Sequence, residues 1–75
     1  MSITYAVYQI EPGGYADEPL TAGVAHDLET ATIRTKDTYF KGLEPQIEVI
    51  DEITADITVR KPQYARYKVI VLKSG

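Results

Sequence analysis

The sequence predicts a small α+β fold: an antiparallel sheet in the order β-β-α-β-β, with one helix packed on one face. Three observations carry this. From Gln46 to Arg60 apolar and polar residues alternate, with Ile47, Val49, Ile53, Ala55, Ile57 and Val59 on one parity and Glu48, Glu52, Thr54, Asp56, Thr58 and Arg60 on the other. Period two over that length marks a strand, or two strands in line, with one face buried. Around residues 27–41 the apolar spacing changes to i, i+3/i+4 between two capping signals. Elsewhere Gly and Pro cluster between short β-branched and aromatic runs, as turns between strands do.

In chain order, residues 3–10 (ITYAVYQI) are rich in β-branched and aromatic residues and form the first expected strand. Ile3, Tyr5 and Val7 fall on one parity, and Ala6, Tyr8 and Ile10 on the other, which suits a strand covered on both sides. Pro12, Gly13, Gly14 and Pro19 end it in a turn region that Asp17 and Glu18 keep solvated. Residues 20–25 (LTAGVA) read as a weaker second strand closing a hairpin on the first. Asp27 is a good N-cap, Glu29 suits the first turn, Gly42 suits the C-terminal cap and Pro45 stands beyond it. Between them Leu28, Ala31, Thr35 and Tyr39 make the buried stripe, flanked by Ile33 and Phe40. The β-branched Thr30, Thr32, Ile33, Thr35 and Thr38 work against a helix, and a strand near residues 31–35 is the rival reading.

The last segment reverses at Lys61-Pro62-Gln63-Tyr64, where Pro62 cannot donate to a ladder. Burying one apolar set on both arms requires an odd number of residues in the connection. With five, 60–64, Val59 faces Ala65, Ile57 faces Tyr67, Ala55 faces Val69 and Ile53 faces Val71. On the other side Asp56 then faces Lys68 and Thr58 faces Arg66, and an opposite-charge pair of that kind favours the ladder by roughly 0.2–1 kcal/mol.

The 75 residues imply one domain, 1–75, that buries only about 60–65% of its unfolded surface. Small unstapled domains often gain core by association, so a homodimer or higher homo-oligomer is expected. The absence of cysteine from the sequence excludes disulfides, thiolate catalysis and zinc–thiolate sites. With no long apolar run and no basic stretch in MSITYAVYQ, a cytoplasmic protein with no membrane role is expected. Charge is split. Residues 1–56 hold all 11 acidic residues and three of the eight basic ones, for −8, while 57–75 carry +5. Pairing of the basic arm with the acidic one accounts for this before a nucleic-acid-binding tail does.

Candidate chemistry is sparse. His26, Asp27 and Glu29 form the one His–carboxylate grouping, and a helix entry explains them better than a metal or acid–base site. Glu48, Glu52 and Asp56 recur four apart, which on a strand spaces neighbours by ~13 Å, too far to share an ion or a glycosidic bond. Gly13-Gly14 is followed by Tyr15-Ala16-Asp17-Glu18, an acidic run unsuited to phosphate. No cofactor is expected and no catalytic residue is assigned. Arg60, Lys61, Tyr64, Arg66, Tyr67 and Lys68 mix cations with aromatics as single-strand binders do, but the chain as a whole is acidic. Of the six tyrosines, Tyr5, Tyr39 and Tyr67 are expected at the edge of the core, and Tyr8, Tyr15 and Tyr64 at the surface.

Ile50, Ile70 and Leu72 fall on the parity opposite the main apolar set. A single helix covers one face, so these residues, with Tyr8 and Ile10, are expected on the uncovered one, and an exposed apolar patch marks an interface. The expected partner-binding set is therefore Tyr8, Ile50, Tyr64, Arg66, Lys68, Ile70 and Leu72. The expected function is a non-enzymatic protein-binding module, a small inhibitor or adaptor of the kind a phage or mobile element encodes. The alternatives are a nucleic-acid binder using residues 60–68 and an acidic mimic of nucleic acid.

One resemblance bears on this. Tyr5, then Glu11-Pro12-Gly13-Gly14-Tyr15, Pro19, Gly23 and Leu28-Glu29-Thr30-Ala31 resemble the N-terminal domain of HicB-type antitoxins over residues 5–31. Thr30 replaces a second acid, the spacing from Gly23 to the helix is short, and the C-terminal hairpin has no counterpart there. The resemblance implies a small inhibitor that neutralises a partner protein.

Overall fold

The computed structural model describes residues 2–75. The elements run β1 (Ile3–Glu11), β2 (Thr21–Ala25), α1 (Leu28–Tyr39), β3 (Gln46–Val49), β4 (Thr54–Val59) and β5 (Ala65–Ser74). The strands form one antiparallel sheet in the order β2-β1-β5-β4-β3, so the two terminal strands lie side by side at its centre. The expected class, a small antiparallel sheet with one helix on one face, is the observed one.

The odd-numbered residues of the central strands make the core. Tyr5 and Val7 of β1, Ala55, Ile57 and Val59 of β4 and Val69 of β5 pack with Ala31 and Phe40 of the helix segment, and with Leu28, Leu43 and Tyr67 at the margin. Val7, Ile57 and Val69 are fully buried, and each such burial stabilises by roughly 1.5–3 kcal/mol. Gly23 lies opposite Tyr5 in the β1–β2 hairpin, and a Cβ there would stand 3.2 Å from the Tyr5 hydroxyl. The glycine that weakens β2 as a strand is thus the one that leaves room for the Tyr5 side chain.

The helix forms despite its threonines because the caps and two hydroxyls serve it. Asp27 accepts a hydrogen bond from the Thr30 backbone N–H at 2.7 Å. Thr32 Oγ1 donates to the Leu28 carbonyl (2.7 Å) and Thr35 Oγ1 to the Ala31 carbonyl (2.8 Å), so both threonines are buried without an unpaired hydroxyl. The buried stripe is therefore Ala31, Thr32 and Thr35, not one running on to Tyr39 and flanked by Ile33. Those two are 44% and 41% exposed. The helix stops at Tyr39, and Phe40, as the C-cap, meets Tyr67 with ring centroids 4.6 Å apart.

The stretch 46–60 is not two strands in line. It reverses at 50–53 and β3 pairs back on β4, with Ile47 opposite Ile57, Glu48 opposite Asp56 and Val49 opposite Ala55. Asp51 Oδ1 accepts from the Ile53 N–H (2.9 Å) and closes the turn. An odd number of residues separates each pair, so the reversal keeps the parity and the alternation survives it.

Candidate functional site

The β4–β5 register matches the expected one at every pair from Val59↔Ala65 to Ala55↔Val69, with Asp56 opposite Lys68 and Thr58 opposite Arg66. This sets the even-numbered residues of β4 and β5 on the face away from the helix. Across the sheet, one row reads Tyr8, Lys68, Asp56, Glu48 and the next reads Ala22, Ala6, Ile70, Thr54. Tyr8, Lys68 and Ile70 are half-buried, and Asp56 has a side chain only 10% exposed.

A bulge completes the charged part of this face. Between Gln9 and Glu11 the pairing of β1 with β5 slips by one, so Ile10 has no partner and is buried rather than exposed as expected, and Glu11 lies opposite Arg66. By parity alone Glu11 would point to the helix side. Instead its carboxylate meets Arg66 Nη2 at 3.1 Å, and Arg66 Nη1 stands 3.7 Å from Asp56 Oδ2. Asp56 thus directs its charge diagonally to Arg66, although Lys68 is the residue directly opposite. Asp56 Oδ1 and Arg66 Nε are buried and have no hydrogen-bond partner in the described protein.

The remaining members of the expected set are dispersed. Leu72 is the extra residue of a second bulge, between the pairs Thr4↔Lys73 and Tyr5↔Val71, and is 57% exposed. Ile50 lies in the β3–β4 turn, not on a strand row, and is 49% exposed. Tyr64 sits in the β4–β5 connection, where Arg60 stands 5.9 Å from its ring centroid. It lines an open hollow of ≈ 280 Å³ with Phe40, Leu43 and Tyr67, which belong to the helix side. So Tyr8, Arg66, Lys68 and Ile70 share one face, and Tyr64 does not join them.

His26 is exposed beside the N-cap. The Thr30 backbone hydrogen bond holds the Asp27 carboxyl below the usual carboxylate range, helped by the Thr30 side chain and by His26. Among the described residues no three His, Asp or Glu side chains gather to hold a metal ion, and no helix is long and apolar enough to cross a membrane. Two features of the surface are not marked by any single residue type. One is Glu11, which a bulge re-aims. The other is the apolar edge of Ile47, Val49 and Ile53, whose one sequence signal is the fault in the alternation at Ile50-Asp51. No protein-family model, characterised protein or solved structure significantly matches this chain, so the resemblance of residues 5–31 rests on those residues alone.

Proposed function

We propose that the chain is a non-enzymatic protein-binding module, a small inhibitor or adaptor, that engages its partner through the helix-free face of the sheet. The observation that carries this reading is the row Tyr8, Lys68, Asp56, Glu48 beside Ile70. It combines apolar area with charges of both signs on a face that none of the described elements packs against. The mixed charge favours a protein over a nucleic acid, because Arg66 is already engaged by Glu11 and Asp56.

The test is affinity capture from lysate of the source organism, with the eluted assembly weighed by native mass spectrometry. Wild-type protein and the Tyr15→Ala variant should retain the same protein in fixed stoichiometry, since Tyr15 is in the exposed loop. The Tyr8→Ala/Lys68→Glu variant should retain at least about tenfold less. Equal retention by all three would remove the face from consideration, and capture of nucleic acid that salt abolishes would replace this reading with the nucleic-acid one.

A further inference from the structure

The two outer strands of the sheet differ in what their free edges offer. Val71 N–H donates to the Ile53 carbonyl (2.8 Å), so the odd-numbered residues of β4 direct their backbone groups to β5 and the even-numbered ones to β3. The bond from Ile50 N–H to the Thr54 carbonyl (3.0 Å) agrees. Glu48 and Gln46, opposite Asp56 and Thr58, therefore make the β3–β4 bonds, and the N–H and C=O groups of Ile47 and Val49 point outward. At the other edge the same alternation turns the Val24 carbonyl outward, and there Arg34 Nη1 of the helix donates to it at 2.8 Å. One edge is blocked by the chain itself. The other presents a four-residue strand exposed at every position, with Ile47, Val49 and Ile53 at 38%, 59% and 54% exposure. A flat apolar edge is a template for another strand.

We infer that the β3 edge is a self-association site, on which β3 of a second copy adds antiparallel about a two-fold axis at Ile47 to make one continuous sheet. The strand selects this partner and this register. A two-fold axis perpendicular to the sheet keeps the helix sides of both copies together, so odd residues must meet odd residues. Centring on Ile47 lets the two Ile47 residues exchange both of their outward bonds. Each Val49 N–H then reaches the other copy's Pro45 carbonyl. Glu48 faces Gln46 and the apolar Ile47 and Val49 side chains of both copies adjoin on the helix side. Centring on Glu48 would set two carboxylates face to face, which opposes pairing. The site shares only Glu48 with the face row described above and uses the edge of β3 rather than that face, so the two readings are tested separately: a monomer would overturn this inference and leave binding through Tyr8, Lys68 and Ile70 intact.

The absence of cysteine from the sequence allows a direct test by single thiols. Paired Cα atoms across such a ladder stand about 5.5 Å apart, within disulfide range. Under oxidation Ile47→Cys should give a covalent dimer as the main product. Val49→Cys should not, since its twin would be ~13 Å away along the strand. Val24→Cys, on the blocked edge, should stay unlinked as well. Without crosslinking, wild type should weigh as a dimer by analytical ultracentrifugation. Val49→Pro, which removes an N–H that β4 does not use, should keep the far-UV spectrum and raise the dimer dissociation constant at least about tenfold. A wild-type monomer at about 100 µM, a dimer that Ile47→Cys fails to trap, or crosslinking at Val24→Cys instead would each overturn the inference.

Discussion

On the helix side of the sheet Val7, Ile57 and Val69 touch no solvent, while one residue along the same strands, on the other side, Tyr8, Asp56 and Lys68 form a row of mixed polarity. The strands are the same and the backbone hydrogen bonds are shared. The helix side gains its stability from apolar area removed from water. The open side holds a nearly buried carboxylate and commits one cation, Arg66, to two of the chain's own acids, which contributes little to stability and leaves polar atoms unpaired.

Substitutions on neighbouring residues of β4 should separate the two sides. Ile57→Ala is expected to have the largest effect, a loss of about 2–4 kcal/mol in urea unfolding, because it empties the centre of the core. Less than about 1 kcal/mol would mean that the helix closes over the gap and the packed side is softer than its burial implies. Asp56→Ala, one residue away, should cost less, about 1–2 kcal/mol, since Arg66 keeps Glu11 and is partly solvated. Asp56→Val should recover most of that loss by filling the space with a β-branched side chain. If Asp56→Val were as costly as Ile57→Ala, the open side would be a structural network and the contrast would collapse.

The smallest expected effect belongs to neither face. Asp27 caps the helix with its carboxylate, whose pKa is lower in the folded chain than in the unfolded one. Its contribution is therefore complete above the unfolded carboxylate range and is lost as pH falls through the lower folded value. The Tm of Asp27→Ala should lie below that of wild type at neutral pH, and the gap should close below about pH 4. A gap that stayed constant with pH would show that the charged cap is not what Asp27 supplies.

Parity read well wherever pairing was regular. The β4–β5 register follows from alternation and a five-residue connection, and every inferred pair from Val59↔Ala65 to Ala55↔Val69 is present. Caps placed the helix, because Asp27 and the residues after Tyr39 act locally. Three features lie beyond what alternation and caps specify. A hairpin with an odd number of residues between partners preserves alternation, so period two could not distinguish it from a continuous strand. Bulges at Gln9/Glu11 and Thr4/Tyr5 shift the register by one, and what re-aimed Glu11 and set Leu72 apart was the fit of β1 against β5, strands from opposite ends of the chain. The helix stripe took Thr32 over Tyr39 because a threonine that returns its hydroxyl to the backbone behaves as a small apolar residue. Of the surface, Tyr8, Arg66, Lys68 and Ile70 were legible as one parity class, whereas Glu11 and the free β3 edge required the pairing itself.

The placement of β1 beside β5 also governs how the molecule assembles. The hairpin β1–β2 and the meander β3–β4–β5 each close over short connections, but the seam between them joins Ile3 to Ser74. Bringing chain ends together costs entropy before any contact along the seam repays it. On loop-closure entropy alone the two local units should form before the central seam, the most non-local part of the fold, and stopped-flow refolding should be slower than for a helical bundle of the same size.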